Sequence, residues 1–203
     1  MDNNSFDRLA YYFSKFPGIG ERQSKRFVYF LLRQNPSYIS DLSNLIRDIK
    51  NSISQCTVCF RHFSGGQQSV CDYCAGVPDK TTLVVLEKEA DYESFRKTST
   101  YAGNFFLIGG LIPILEKNPE RLVRTNQLVL RVEKEMAEGL KEVILAFSLT
   151  PQGDYTDEFI RELLKPFIEQ GLKISSLGRG LSTGSELEYL DPSTLESALR
   201  NRK

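Results

Sequence analysis

Apolar residues in the first fifty positions recur three and four residues apart, the spacing of one face of an α-helix. The three stripes are Phe6, Leu9, Ala10 and Phe13; Phe27, Phe30 and Leu31; and Ile39, Leu42, Leu45, Ile46 and Ile49. They are separated by Pro17–Gly20 and by Asn35–Pro36, where glycine and proline end helices. The pattern predicts three helices joined by short turns within residues 1–54.

Beyond Thr82 the pattern changes to short β-branched and apolar runs, which are typical of buried strands. The runs cover residues 82–87, 105–108, 143–147 and 172–177. Helical patterns lie between them, chiefly over 126–139 and 154–170. Strands that alternate with helices predict an α/β fold with a mostly parallel sheet. The predicted division is a helical region over 1–54, a cysteine module over 55–77, the α/β domain over 78–175, and a short C-terminal strand and helix tail over 176–203.

Composition adds a broad class to this pattern. The chain has 203 residues, of which 40% are hydrophobic and 26% are charged, as in ordinary globular proteins. No apolar run approaches the roughly 20 residues of a membrane-spanning helix. The start, Met1–Ser5, lacks the basic and apolar regions of a secretory signal. We therefore expect a cytoplasmic protein without a membrane partner.

The cysteines form a metal-binding pattern. Cys56 and Cys59 are separated by two residues, Cys71 and Cys74 likewise, and eleven residues lie between the pairs. Two such pairs can present four thiolates to one Zn²⁺ in a closed, structural site. Two disulfides or four inert buried thiols are the alternatives, and a cytosolic chain favours zinc. The prediction is one structural Zn²⁺ per chain. Arg61 and His62 would offset the net negative charge of the ion with its four thiolates, and His62 could alternatively replace a ligand.

The break at Phe16–Gly20 contains Gly18 and Gly20 and is followed by Arg22, Lys25 and Arg26. Glycines allow close approach of backbone amides, and the helix that follows contributes its positive end, so the turn suits a phosphate. The alternative is a plain helix–helix turn beside a solvated charged face. Net charge is zero, but residues 1–60 carry eight Lys or Arg against five Asp or Glu. We predict DNA binding by local phosphate contacts through these five residues.

The order of helical turn, four-cysteine module and α/β segment resembles the RecR family of bacterial recombination mediators. Three further stretches carry the resemblance: Leu107–Leu111, Glu142–Ala146 and Arg179–Tyr189. It covers nearly the whole chain. The resemblance implies a helix-hairpin-helix in residues 1–54, a zinc finger, a Toprim domain and a C-terminal oligomerisation segment.

The same resemblance implies a function in recombinational DNA repair. Members act with RecO and RecF in gap repair, as dimers or tetrameric rings, and help to load the recombinase. We therefore expect a non-enzymatic homo-oligomer that clamps single-stranded, duplex or gapped DNA. A pure protein-binding adaptor, the competing hypothesis, predicts no salt-dependent affinity for DNA.

A catalytic Toprim domain holds magnesium with a glutamate after its first strand and with acids after a later strand. Glu87 occupies the first position, but Ser148 and Thr150 stand where catalytic relatives carry aspartates, and Gln152 replaces a further acid. Only Asp154 remains. The domain is predicted to be non-catalytic, the alternative being a magnesium-dependent primase or nicking enzyme that uses Glu87 and Asp154.

The remaining acids are candidates for protein contacts. Glu87, Asp91 and Asp154 are the residues that the resemblance leaves for binding RecO. The tail Ser185–Asp191 resembles an acidic, Walker-B-like stretch, but a glycine-rich lysine loop for phosphates is missing. We therefore expect subunit contact, and no ATP hydrolysis, from this tail.

Overall fold

The computed structural model describes residues 4–76, 79–178, 181, 184, 186–190 and 192–200. The chain divides into two compact units, Met1–Ile53 and Ser54–Lys203. Within the described residues, none of the helices combines the length and apolar character needed to cross a bilayer.

The first unit is helical, as the apolar stripes predict. Its helices are α1 (Ser5–Ser14), α2 (Glu21–Leu32) and α3 (Pro36–Ser52). The caps Asn4 and Asn35 accept backbone N–H groups at the starts of α1 and α3. α1 packs on α2 through buried Ala10 and Val28 and through aromatic contacts such as Phe13 with Phe27.

The third stripe is only partly covered. Ile39 and Leu42 are half-buried, whereas Leu45, Ile46 and Ile49 are 70%, 64% and 57% exposed. The periodicity of α3 is therefore correct, but half of its apolar face lies at the surface of the described unit.

The second unit begins with the cysteine module. Its antiparallel hairpin consists of β1 (Ser54–Gln55) and β2 (His62–Phe63), and a short helix α4 (Asp72–Ala75) follows. Cys56 and Cys59 lie on the connection between the two strands, and Cys71 immediately precedes α4. Val77 and Pro78, at the predicted boundary after this module, lie outside the described residues.

A four-stranded sheet forms the centre of the second unit. Its strands are β3 (Thr82–Leu86), β4 (Asn104–Leu107), β5 (Glu142–Ala146) and β6 (Lys173–Ser176), in the order β4-β3-β5-β6. All three pairings are parallel, with Val84 opposite Phe105 on one side and Ile144 on the other. The parallel sheet that the alternating pattern predicts is thereby confirmed.

Helices cover both faces of this sheet. They are α5 (Glu89–Thr98), α6 (Thr125–Ala137), α7 (Pro151–Leu163) and α8 (Lys165–Ile168), with α9 (Pro192–Arg200) in the tail. Leu83 and Val85 point into a core with residues of α6 and α7, whereas Val84 and Leu86 meet Tyr92 of α5 on the opposite face. The sheet is thus buried on both sides, as its continuous apolar strands require.

Two differences from the sequence prediction concern helices. Helix α5 was not among the helices predicted from the sequence, and the helix predicted over 154–170 begins at Pro151 and divides into α7 and α8. Part of the tail motif, including Arg179, Ser185 and Asp191, lies outside the described residues. The domain boundaries, the helix-hairpin-helix assignment and the oligomerisation role of the tail remain predictions.

Candidate metal centre and nucleic-acid interface

The four cysteines meet at one point. Their sulfur atoms all lie within 4.8 Å of one another, and Cys56, Cys59 and Cys71 are buried. A tetrahedral Zn²⁺ with Zn–S bonds of about 2.3 Å would place its sulfurs about 3.8 Å apart. The distance between Cys59 Sγ and Cys71 Sγ is 3.8 Å. The four cysteines therefore form a candidate metal site, and the spacing of the Cys59 and Cys71 sulfurs fits tetrahedral coordination.

Hydrogen bonds to the sulfurs favour the thiolate at Cys59, whereas burial raises the pKa of Cys56. The backbone N–H groups of Val58 and Cys71 donate to Cys56 Sγ, each at 3.4 Å. The Cys74 thiol and neighbouring groups hold the pKa of Cys59 well below that of an ordinary thiol, because their hydrogen bonds stabilise the anion. Metal ligation needs this deprotonated form.

Of the two basic residues beside the cysteines, only Arg61 donates to a sulfur. Its Nε lies 3.3 Å from Cys71 Sγ. His62 Nδ1 lies instead 2.7 Å from Glu89 Oε1, at the start of α5. Arg61 therefore offsets the charge of the thiolates directly, while His62 connects the hairpin to α5 and belongs to no metal-binding group among the described residues.

The cysteine module is joined to the edge of the sheet. The Leu107 N–H of β4 donates to the Cys59 carbonyl at 2.9 Å, and Phe60 packs against Phe106 with ring centroids 5.3 Å apart. Arg131 of α6 donates from Nη1 to the Val58 carbonyl at 2.9 Å. A bound metal would therefore support both the module and the adjacent edge of the sheet.

A buried ion pair lies beneath this junction. Arg131 Nη2 is 2.5 Å from Glu135 Oε1, and the two side chains are 12% and 10% exposed. Asn104 of β4 donates to the same oxygen at 3.0 Å. Sequence analysis did not identify this group, because Arg131 and Glu135 look like an ordinary helical i,i+4 pair until the fold covers them.

In the first unit, the glycine turn precedes α2. Gly18 has φ 75°, the left-handed region that favours glycine, whereas Gly20 is extended with φ −82°. Gly20 is the N-cap of α2 and offers no side-chain cap. The Gln23 N–H donates to the Gly20 carbonyl at 3.1 Å, so in the described unit the amides of Glu21 and Arg22 are the ones open to an acceptor such as a phosphate.

The three predicted basic residues differ in their surroundings. Lys25 Nζ lies 2.7 Å from Glu21 Oε1, so part of its charge is used within the helix. Arg26 makes one long hydrogen bond of 3.4 Å to Gln23. Arg22 is exposed and has no bonding partner among the described residues. Arg22 and Arg26, one turn apart, are therefore the bases of α2 most available to a ligand.

Glu87, the first of the predicted Toprim acids, is bonded by a hydroxyl and by a lysine. Ser148 Oγ donates to Glu87 Oε2 at 2.7 Å, and Lys88 Nζ lies 3.2 Å from Glu87 Oε1. The Ser148 hydroxyl thus bonds the glutamate from the position at which the resemblance places an aspartate in catalytic Toprim domains. Among the described residues, the only group of three or more His, Cys, Asp or Glu placed to hold an ion is the cysteine cluster.

The other residues of this region have structural roles. Asp91 accepts the Lys88 N–H at 3.2 Å and so caps the start of α5. Gln152 donates to the Leu111 carbonyl at 3.2 Å. Thr150 caps α7 by accepting the Gly153 N–H, and Asp154 lies in its first turn. These contacts explain the polar character of the segment without a catalytic ion.

Comparison with known proteins places these features in a family. The Toprim domain family matches residues 81–178, and the family described as RecR, C-terminal, matches residues 180–203. The recombination protein RecR of Chloroherpeton thalassium is 32% identical over 202 residues, which cover 98% of this chain and 97% of that protein. RecR of Chlorobium limicola is 32% identical over 200 residues, covering 98% and 96%. RecR of Lactobacillus delbrueckii subsp. bulgaricus is 31% identical over 196 residues, covering 96% and 94%.

Proposed function

The chain belongs to the RecR family of recombination proteins, and we propose that it acts as a DNA-binding mediator of recombinational repair. The observation that carries the proposal is the full-length similarity to proteins named for recombination, together with the intact cysteine site. By analogy with the family, its partners are DNA, RecO and RecF. A protein that works on the bacterial chromosome and keeps its thiols for a metal functions in the cytoplasm.

DNA contact is assigned to the turn before α2. Gly18 and Gly20 bring the backbone close to a phosphate, the uncapped amides of α2 face it, and Arg22 and Arg26 supply charge, with Lys25 in support. Such contacts position DNA without reading its sequence. A homo-oligomeric clamp would carry several copies of this small basic site. Several copies bind one DNA molecule more tightly than a single copy does, which suits a chain with no net charge.

Arg22→Ala/Arg26→Ala is expected to lower the salt dependence of DNA binding. Each lost phosphate contact removes about 0.7 from the slope of log K against log salt for single strands, so the slope falls by about 1.4 per bound subunit. Fluorescence anisotropy of a labelled oligonucleotide across a salt series measures this slope. Arg47→Ala/Lys50→Ala on α3 is the matched control, since it removes the same charge from exposed positions. An equal fall in both variants would contradict a specific role for α2.

The metal is proposed to be Zn²⁺ with a structural role. Four sulfurs complete its coordination, so it offers no open position to a substrate. The sheet end that carries Glu87, Asp91 and Asp154 is proposed as the surface for RecO. The tail is proposed to join subunits, as a dimer or a tetramer.

The proposed mediator has no catalytic activity of its own. Ser148 bonds the Glu87 carboxylate. Among the described residues of the Toprim segment, no group of three or more His, Cys, Asp or Glu is placed to hold magnesium. We expect no magnesium-dependent cleavage or primer synthesis above background, and the same background from Glu87→Ala. Activity measured on nicked, gapped and single-stranded substrates tests this expectation, and a magnesium-dependent product that Glu87→Ala abolishes would establish an enzyme instead.

A further inference from the structure

An open groove of about 860 Å³ lies in the second unit, between the cysteine module and α5. Tyr73, Tyr92 and Tyr101 contribute aromatic walls, and the last turn of α5 contributes Arg96 and Lys97. Pockets that hold small organic ligands measure about 300–1,000 Å³. The groove is therefore large enough for a nucleotide unit, and neither the four cysteines nor Glu87 are among its lining residues.

Two guanidinium groups in the groove are fixed by aromatic rings. The Arg61 guanidinium lies 4.9 Å from the centre of the Tyr92 ring, and that of Arg96 lies 4.9 Å from the centre of the Tyr73 ring. The Arg61 Nε bond to Cys71 Sγ holds Arg61 from the other side. Cations placed in advance lose less side-chain freedom when they bind an anion.

The rings themselves are fixed as well. The Tyr73 hydroxyl donates to the Gly103 carbonyl at 2.6 Å, and that of Tyr101 donates to the Asn104 carbonyl at 2.9 Å. Tyr92 packs its ring edge-on against Phe105 of β4. These contacts join the aromatic walls of the groove to the sheet core.

Two of the three basic groups of the groove have no anionic partner among the described residues. Within the described residues, Arg61, Arg96 and Lys97 form no ion pair, although the acids Asp72 and Glu93 line the same groove. Because Arg61 already donates to Cys71 Sγ, Arg96 and Lys97 are the two cations of the groove available to a ligand. Two cations fit one or two phosphate contacts rather than a long electrostatic track.

We propose that this groove binds the sugar-phosphate backbone of single-stranded nucleic acid, with a base stacked on the guanidinium and tyrosine planes. Grooves that combine cations with aromatic rings bind single strands in this way, because every base has a π-face. The inference deepens the proposed function and rests on it, since it adds a second DNA contact in a different unit of the chain. The α2 turn and the groove then act as independent sites.

The test compares Arg96→Ala/Lys97→Ala with Lys117→Ala/Arg121→Ala in the full chain. Both pairs are exposed and remove two positive charges, but only the first lines the groove. Binding of a short oligothymidylate is measured across a salt series. The loss of two phosphate contacts should lower the slope of log K against log salt by about 1.4 and weaken binding about tenfold near physiological salt. The control pair should leave both values close to wild type, and zinc content and thermal unfolding should be unchanged in all variants.

A photo-crosslink locates the contact independently. An oligonucleotide with 5-bromodeoxyuridine, irradiated on the full chain, should yield adducts on Tyr73 or Tyr101. Adducts confined to residues 1–53, together with equal slopes for the two alanine pairs, would overturn the proposal while leaving the α2 turn as the DNA site. If the wild type binds no oligonucleotide at all, the groove and the proposed function both fail.

A competition experiment distinguishes a binding site for a nucleic-acid strand from a site for a free phosphate ion. Inorganic phosphate and thymidine monophosphate are titrated as unlabelled competitors of the oligonucleotide. A strand site predicts that neither removes the Arg96-dependent part of the binding at concentrations matched in ionic strength. If inorganic phosphate alone removes it, the groove is a site for a phosphate ion and the proposed strand contact is wrong.

Discussion

Cys71→Ser is expected to release the bound metal and to unfold the cysteine module. Cys71 is completely buried, and its sulfur lies near that of Cys59 and accepts from Arg61. A serine hydroxyl remains neutral near pH 7, so the substitution leaves three thiolates and an arginine without its acceptor. Structural zinc contributes about 10–16 kcal/mol of apparent binding free energy in isolated finger peptides. We expect the free energy of unfolding of the second unit to fall by about 5 kcal/mol or more.

Metal analysis and urea unfolding of the purified variant measure this effect. Wild-type protein should contain one zinc per chain, and Cys71→Ser should contain far less. Ser69→Ala is the control, because Ser69 is exposed in the same loop and its contact with Thr57 uses only its backbone carbonyl. One retained zinc with an unchanged unfolding curve would refute the metal site.

Arg131→Leu should destabilise the second unit by about 3–5 kcal/mol, the usual cost of removing one partner from a buried ion pair. The substitution leaves the Glu135 carboxylate in a buried position with only the Asn104 amide to bond it, and it removes the donor to Val58. The loss should appear in urea unfolding as a lower midpoint with an unchanged slope.

The double variant Arg131→Leu/Glu135→Leu separates charge burial from packing. The second oxygen of Glu135 and Arg131 Nε have no hydrogen-bond partner among the described residues, so the pair is already imperfectly satisfied. An apolar pair of similar volume should therefore recover most of the loss. Lys134→Leu, at the exposed neighbouring position, controls for the added leucine. A double variant as unstable as the single one would show that the Val58 contact, and not the stranded carboxylate, carries the effect.

The sequence was sufficient for those elements whose signal is local. Paired Cys-x2-Cys motifs predict a common metal site whatever the path of the intervening loop, and the structure brings the four sulfurs together. The strand around Val84 was predicted because a strand buried on both faces is apolar at every position. The turn at Gly18 was recognisable because its backbone needs a positive φ.

Elements with weak or long-range signals were missed. Helix α5 presents only Tyr92 and Phe95 to the core, too narrow a stripe for a ten-residue helix to be distinguished from a polar loop. α7 begins earlier than predicted because Thr150 caps it, so Pro151 serves as its first residue rather than as a breaker.

The buried pair and the tyrosine groove depend on tertiary structure. Arg131 reaches a carbonyl 73 positions away in the chain, at Val58. Tyr73 and Arg96 come together only after α4 and α5 have packed beside β4. Periodicity and motif spacing describe neighbours along the chain, and these contacts join residues that are neighbours only in the folded domain.

The junction between Cys59 and β4 also bears on solubility during synthesis. β4 is an outer strand, and its Leu107 amide is bonded by the module instead of by another strand. A chain that has not yet acquired its ion would leave that strand free to pair with a second nascent chain, the usual route to aggregation of exposed sheet edges. If the site holds the proposed Zn²⁺, zinc limitation in the cell should therefore reduce the amount of protein that reaches its folded state.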